Sequence, residues 1–180
     1  MKKIFLTLFF IILSTNLYAS NIKKVYFAGG CFWCMEESFD KVEGVIETIS
    51  GYSGGHVKNP KYKDVVKNTT GHYETLEITY DPSITNFEKL LEIFWVNIDP
   101  FDADGQFCDK GESYKSVVFY ENSDQKKIIE TSIKNIENKF DKKVVTYVKN
   151  FKKFYMAETY HQNYYEKNFI RYLMYKKGCQ

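Results

Sequence analysis

The pattern of apolar and polar positions predicts short strands and amphipathic helices that follow one another without strict alternation. An apolar strand at 25–28 leads into a helix with Phe32, Met35 and Phe39 on its apolar side. Further strands are predicted over residues 45–52, 72–80, 116–120 and 144–148. Because strict βαβ alternation is missing, the pattern favours an α+β sandwich over a doubly wound parallel sheet.

The strand predicted over residues 72–80 carries a carboxylate on its apolar face. Its apolar side chains are Leu76, Ile78 and Tyr80. Side chains alternate between the two faces of a strand, so Glu74 lies on the same face as these residues. A carboxylate at the head of a buried face is unusual, which makes Glu74 a candidate for chemistry. Glu77, on the opposite face, is expected to be exposed.

Two helices are predicted from stripes of apolar residues. Thr85-Asn86-Phe87-Glu88 has the form of a capping box that begins the first helix, and Ser123 is expected to cap the second. The apolar positions of the first helix are Phe87, Leu90, Leu91, Phe94, Trp95 and Ile98. Those of the second helix are Ile129, Ile133, Ile136 and Phe140. The long loop at 101–114 is rich in Asp and Gly, and a loop of this length in a compact domain is often functional.

The first 19 residues have the organisation of a secretory signal peptide. A basic start precedes an apolar run from Ile4 to Leu13, which is shorter than a membrane-spanning helix, and Ala19 stands at the expected cleavage point. We therefore predict export through this signal, to the periplasm of a bacterium. An uncleaved membrane anchor is the alternative. Residues 20–180 are then expected to form a single domain.

Charge gives no indication of nucleic-acid binding. The chain has 25 basic and 23 acidic residues, and removal of residues 1–19 takes away two lysines, which leaves 23 residues of each sign. The lysines are spread along the chain, as on an ordinary solvated surface. We expect a monomer that binds no nucleic acid.

The cysteines are the residues that point to chemistry. They are Cys31, Cys34, Cys108 and Cys179. Export would permit disulfides, and four cysteines allow three pairings. The one close pair has no second close Cys or His pair to match it, so no zinc or other metal site is expected. Cys31 lies where a strand is predicted to turn into a helix, and the helix dipole is expected to lower the pKa of its thiol, so Cys31 is the candidate nucleophile.

The motif around Cys31, Gly-Gly-Cys-Phe-Trp-Cys-Met-Glu, resembles that of the peptide methionine sulfoxide reductase A family. Other segments resemble the family's blocks in the same order. They are 51–55, 59–62, 70–74, 80–82, 105–111 and 157–162. The resemblance covers about residues 24–178. It implies a two-layer α+β sandwich around a mixed sheet with a ferredoxin-like core, and reduction of the S epimer of methionine sulfoxide, either free or within oxidised proteins.

The resemblance also implies roles for particular residues. Cys31 corresponds to the nucleophile that attacks the sulfoxide sulfur, and Glu74 to the acid that protonates the sulfoxide oxygen. Burial would raise the pKa of Glu74 and keep it neutral. Tyr62 and Tyr114 correspond to tyrosines that hold the oxygen, and Asp109 to an aspartate that helps to bind the substrate. The walls of the methyl pocket correspond to Phe32 and Trp33.

The family's reaction leaves a sulfenic acid, which a second thiol converts to a disulfide. A thioredoxin-like donor then reduces the disulfide, so no metal or organic cofactor is expected. The sequence leaves the resolving cysteine open. Cys179 is the first choice because a mobile terminus can reach the site. Cys34 and Cys108 are the other candidates, and direct attack by the external reductant is a further route.

Two other functions compete with this interpretation. The Cys31-Phe32-Trp33-Cys34 motif could belong to a thioredoxin-like dithiol oxidoreductase, but its tryptophan lies between the cysteines and no βαβ start follows. A secreted binding domain held by two disulfides is the non-enzymatic alternative. In that protein Cys31 would be inert.

Overall fold

The computed structural model describes residues 21–179, so the predicted signal peptide at 1–19 lies outside the described residues. The strands are Lys23–Ala28 (β1), Val45–Ser53 (β2), Tyr73–Tyr80 (β3), Gly105–Gln106 (β4), Asp109–Lys110 (β5), Val117–Tyr120 (β6), Tyr147–Asn150 (β7) and Phe154–Met156 (β8). The α-helices are Phe32–Asp40 (α1), Tyr62–Val65 (α2), Phe87–Val96 (α3), Ser123–Phe140 (α4), Tyr164–Lys167 (α5) and Phe169–Cys179 (α6). Short 3₁₀ turns lie at Glu112–Tyr114 and Thr159–His161.

One mixed sheet organises the fold, with the strand order β7-β6-β1-β3-β2-β8. Its central strands pair antiparallel, and only β6 and β7 run parallel within this sheet. The succession β1-α1-β2-β3-α3-β6 with the spatial order β6-β1-β3-β2 is a ferredoxin-like βαββαβ unit. The α+β class and the ferredoxin-like core are therefore confirmed.

The main hydrophobic core lies on one face of the sheet, between the strands and helices α1, α3 and α4. From the sheet come Phe27, Leu76 and Ile78, which are fully buried. From α1 come Met35 and Phe39. The other face is covered by aromatic residues that follow β7, where Phe151 stacks on Tyr26 with ring centroids 3.7 Å apart.

Burial on both faces of the sheet corrects one expectation from the sequence. Glu77 is not exposed: it is only 7% accessible and pairs with Lys24 across 2.6 Å. The strand is covered on both sides because the chain after β7 folds back over it. A period of two identifies which residues share a face, but not whether the second face is covered.

The helix boundaries also differ in detail from the predictions. Helix α3 is capped by Asn86, whose side chain accepts the N–H of Lys89, rather than by Thr85. Helix α4 is capped by Asn122, one residue before Ser123. Phe140, at the end of α4, is 57% exposed rather than inward. Within residues 21–179, no helix has the length and apolarity needed to cross a bilayer.

Helix α1 buries a carboxylate among its apolar residues. Glu36 is fully buried, and its Oε1 accepts the backbone N–H of Asn163 at 3.0 Å. Its Oε2 has no partner. Burial raises the pKa of Glu36 to about 7. The folded protein therefore favours the neutral form of Glu36, although the hydrogen bond from Asn163 opposes this shift.

We predict that Glu36→Gln changes how stability depends on pH. The folded-state pKa of Glu36 lies above its ordinary value of 4.5, so stability from this group is present at low pH and lost as pH rises through about 7. Urea unfolding of the wild type should show a loss of up to about 3 kcal/mol between roughly pH 4.5 and pH 8 that the variant lacks. Glu43→Gln, at an exposed position, is the matched control. Parallel pH curves for the wild type and Glu36→Gln would contradict this account.

Candidate active site

The turn between β1 and α1 places Cys31, the candidate nucleophile. Gly30 has φ +80°, a left-handed conformation that glycine adopts readily. A Cβ atom at this position would lie 2.6 Å from Cβ of Gln106, so the turn packs directly against the 101–114 loop. Cys31 follows as the N-cap of α1, without a side-chain capping hydrogen bond.

The thiols of Cys31 and Cys34 form a hydrogen bond across the first turn of α1. Burial, this hydrogen bond and the nearby Glu74 raise the pKa of Cys31 well above the ordinary value. The pKa of Cys34 is lowered, first by the hydrogen bond from Cys31. The expectation of a depressed pKa at Cys31 is therefore wrong for the resting site. Burial and the neighbouring groups outweigh the helix dipole there, and Cys34 is the more acidic thiol.

Glu74 lies beside Cys31 at the buried head of β3. It is 2% exposed, and its Oε2 accepts the backbone N–H of Phe32 at 3.1 Å. Burial raises the pKa of Glu74 to about 8, although the hydrogen bonds from Phe32 and from the Tyr114 hydroxyl oppose the shift. Glu74 is thus mostly protonated at neutral pH and can donate a proton.

The two tyrosines predicted from the sequence lie together in the site. Tyr62 begins helix α2 and Tyr114 ends the 3₁₀ turn of the site loop, and their hydroxyls share a hydrogen bond. Burial raises the pKa of Tyr62 to about 12 and raises that of Tyr114 as well. Both hydroxyls therefore keep their protons at neutral pH and can act as donors.

The aromatic walls are held by a network from the C-terminal segment. The Trp33 indole N–H donates to Nδ1 of His161 at 3.2 Å, and the Trp33 ring stacks on Tyr164 with centroids 3.7 Å apart. Burial lowers the pKa of His161 to about 4, so its ring is neutral and can accept this bond. These two contacts, with His161 and Tyr164, fix the orientation of the Trp33 indole. Phe32, the other wall, is 1% exposed and packs against Tyr62.

A small cavity of about 40 Å³ unites these groups. It is lined by Cys31, Phe32, Trp33, Tyr62, Glu74, Asp109, Tyr114 and Tyr175. All seven residues named from the sequence as catalytic or substrate-binding thus border one space. It has room for about three water-sized groups, which is the scale of a methyl sulfoxide. Within residues 21–179, no cluster of three or more His, Cys, Asp or Glu side chains could hold a metal ion.

The family model described as "Peptide methionine sulfoxide reductase" matches residues 23–180. The chain belongs to the peptide methionine sulfoxide reductase family. A reductase named MsrA from Bacillus velezensis is 49% identical over 84% of this chain and 87% of its own. One named MsrA 2 from Staphylococcus aureus is 48% identical over 84% and 86%.

Solved structures of the reductase family share the fold. Methionine sulfoxide reductase A of Corynebacterium diphtheriae has a TM-score of 0.74 and 27% identity, covering 82% of this chain and 75% of that one. Reduced Mxr1 from Saccharomyces cerevisiae has a TM-score of 0.76 and 29% identity, covering 82% and 86%. The thioredoxin-like exchanger is therefore not favoured as the identity of this chain.

Cysteine pairing in this member of the reductase family leaves two thiols free. Cys108, in the turn between β4 and β5, forms a disulfide with Cys179 at the end of α6, with Cα atoms 5.1 Å apart. Cys31 and Cys34 are free, which argues against a binding domain held by two disulfides. Among the three candidates for resolution, Cys34 is the one that already contacts Cys31. The choice of resolving residue stays a prediction, and the geometry favours Cys34.

The C-terminal helix brings residues to this reductase site that the sequence did not suggest. Tyr175 lines the cavity, and its hydroxyl donates to a carboxylate oxygen of Asp109. Tyr172 and Lys176 contact Glu37 on α1. The spacing of these three residues, at i, i+3 and i+4, puts them on one face of α6. This row of polar and aromatic side chains was the signal in the sequence that could have identified the three residues. It does not indicate, however, which part of the protein the row packs against.

Proposed function

We propose that the chain is a peptide-methionine (S)-S-oxide reductase that repairs oxidised proteins and also accepts the free S sulfoxide. The observation that carries this proposal is the cavity that joins a free thiol, a neutral buried carboxylic acid and two tyrosine hydroxyls. Each group suits one requirement of sulfoxide reduction, and the family membership agrees with that chemistry. The small cavity suits a methyl group on the substrate sulfur rather than a larger substituent.

Reduction begins at the sulfoxide sulfur. Cys31, once it has lost its proton, attacks the sulfur while Glu74 protonates the oxygen. Hydroxyls of Tyr62 and Tyr114 hold that oxygen. Asp109, half-buried at the cavity edge, helps to bind the substrate. The bond between the two sulfurs and the sulfur–oxygen bond of the substrate then break as the hydroxyl group passes to the Cys31 sulfur. Methionine leaves with its sulfur reduced by two electrons, and Cys31, oxidised by two electrons, becomes a sulfenic acid.

Resolution of the sulfenic acid is assigned to Cys34. Its sulfur already forms a hydrogen bond with Cys31, so attack needs little movement. A bond forms between the two sulfurs, and hydroxide leaves and takes up a proton to become water. The disulfide between Cys31 and Cys34 is the product.

A thioredoxin-like dithiol completes the cycle by thiol–disulfide exchange. It reduces the disulfide and is itself oxidised, so the chemistry needs no metal or organic cofactor. Yeast Mxr1 has been solved "in complex with Trx2". That relative shares the fold at a TM-score of 0.53 and 21% identity. We also propose that the protein works as a monomer.

We predict that Cys31→Ala abolishes reduction of the S sulfoxide of a blocked methionine. The reason is that, in the proposed mechanism, Cys31 is the protein group that forms a covalent bond with the substrate sulfur. Turnover should be measured with purified S and R epimers, with dithiothreitol and then a thioredoxin as reductant. The wild type should reduce the S epimer and leave the R epimer.

Cys34→Ser is the matched variant for this test. It should still reduce one equivalent of S sulfoxide but accumulate the sulfenic acid, which dimedone traps for mass spectrometry. Turnover by Cys31→Ala, or loss of the single turnover in Cys34→Ser, would contradict the assignment. The second result would favour a dithiol exchanger, which needs both cysteines.

We predict that Glu74→Gln lowers the single-turnover rate by roughly 10²–10⁴-fold, the usual contribution of general acid catalysis. The pKa of Glu74 is about 8, and only the protonated form donates. Because Cys31 must also be ionised and its pKa is raised well above the ordinary value, the wild-type rate should stop rising at about pH 8, whereas the rate of the variant should continue to rise with ionisation of Cys31. Glu77→Gln, on the other face of β3, is the control. A plateau above about pH 8 that survives in Glu74→Gln would exclude this residue as the acid.

Export through residues 1–19, to the periplasm of a bacterium, is part of the proposal. It rests on the basic start, the short apolar run and Ala19. We expect the protein recovered from an export-competent bacterial host to begin at Ser20, as N-terminal sequencing would measure. A mature protein that keeps Met1 would exclude cleavage and favour the membrane anchor.

A further inference from the structure

Cys34 lies where an anion is favoured. It is the third residue of α1, and its backbone N–H donates to the carbonyl of Cys31 at 3.1 Å. The positive end of the helix dipole stabilises negative charge in this first turn. The thiol of Cys31 adds a hydrogen bond to the Cys34 sulfur.

Helix α6 adds a second source of stabilisation from outside α1. Tyr172 is 1% exposed, and its hydroxyl lies within hydrogen-bonding reach of both the Cys34 sulfur and Oε2 of Glu37, the latter at 2.7 Å. Lys176, one turn later on the same face, contacts the same Glu37 oxygen at 2.5 Å. The disulfide from Cys179 to the site loop ties down the end of this helix.

The charges around Glu37 leave one positive charge in excess. Glu37 accepts from Lys41 at 2.6 Å and from Lys176 at 2.5 Å. These contacts hold its pKa at about 2, so it stays ionised. Because two lysines pair with one carboxylate, a second negative charge nearby would be stabilised. Because Glu37 already has two lysine donors, the single proton of the Tyr172 hydroxyl can turn to Cys34 when Cys34 ionises.

We propose that Tyr172 and Lys176, presented by helix α6, hold Cys34 as the thiolate that resolves the sulfenic acid on Cys31. Both are positioning residues, since they act through Cys34 and touch neither the substrate nor the sulfenic oxygen. The inference rests on the proposed function for the identity of the step, but the thiolate itself can be tested without any sulfoxide.

Other charged groups near Cys34 oppose its ionisation. Asp109 faces it from β5, and its charge raises the pKa of Cys34. Glu74 faces it from β3 but is mostly neutral below about pH 8. Tyr175 faces it from α6 and stays protonated, because burial raises its pKa. The net effect on Cys34 is still a lowered pKa, so the hydrogen bonds from Cys31 and Tyr172, together with Lys176, outweigh both burial and Asp109.

The test uses Cys31→Ser as the parent variant. Serine keeps a hydroxyl donor beside Cys34, and with the Cys108–Cys179 disulfide intact Cys34 is the single free thiol of the chain. The rate of iodoacetamide alkylation of Cys34 is measured against pH by mass spectrometry. Tyr172→Phe and Lys176→Met are compared with Tyr165→Phe and Lys177→Met. Lys177 is exposed. The Tyr165 hydroxyl donates to Asp40, and its ring, which Tyr165→Phe keeps, packs edge-on against Tyr172.

We expect Tyr172→Phe and Lys176→Met each to slow alkylation at about pH 6 on the order of tenfold, which equals one unit of pKa. Their rates at high pH should match the parent, which excludes local unfolding as the cause, and Lys176→Arg should restore the parent profile. The two control variants should follow the parent within about twofold. Parent-like titration of both Tyr172→Phe and Lys176→Met would overturn the proposal.

Kinetics of the otherwise unsubstituted enzyme separate this inference from the proposed function. Lys176→Met should prolong the life of the dimedone-trapped sulfenic acid on Cys31 after one equivalent of S sulfoxide. A shifted Cys34 titration in an enzyme that does not reduce sulfoxide would overturn the proposed function and leave the thiolate cluster standing. An unchanged titration in an active enzyme would overturn the inference alone.

Discussion

A hydrogen bond from the Phe32 N–H to Glu74 joins helix α1 to strand β3, and the site depends on it. It fixes Glu74 beside Cys31, because Phe32 directly follows Cys31 in the chain. The bond favours the ionised carboxylate, whereas burial favours the neutral acid, and burial prevails. A pKa raised from 4.5 to about 8 corresponds to about 5 kcal/mol in favour of the neutral form. The fold thereby keeps a carboxylic acid ready to donate at neutral pH.

Around this bond, each side of the cavity comes from a different part of the chain. The sheet contributes Glu74, the 101–114 loop contributes Asp109 and Tyr114, and the tail holds Trp33 through His161. The cavity is small because these parts converge on one helix start. A shift of any one part would change both the electrostatics and the shape of the site. The C-terminal disulfide opposes such a shift, since it ties α6 to the site loop.

Local pattern predicted much of this site. Period two placed Glu74 on the buried face of its strand, and the strand-to-helix turn marked Cys31 as special. Convergence of Tyr62, Tyr114 and Asp109 came only from the family resemblance, because no periodicity relates residues so far apart. For the same reason, the sequence could not predict which of the two thiols, Cys31 or Cys34, has the lower pKa. That order depends on burial and on contacts with the tail, which the sequence around Cys31 does not contain.

The tail changes what the motif around Cys31 means. Taken alone, two cysteines three residues apart at a helix start suggest that the first is the thiolate. In the folded protein, Glu74 and burial disfavour charge on Cys31, while Tyr172 and Lys176 favour it on Cys34. This division suits a two-step reaction. In the proposed reaction, the first thiol meets its substrate beside a neutral acid, and the second thiol, whose pKa is lowered, lies next to the sulfenic acid as it forms.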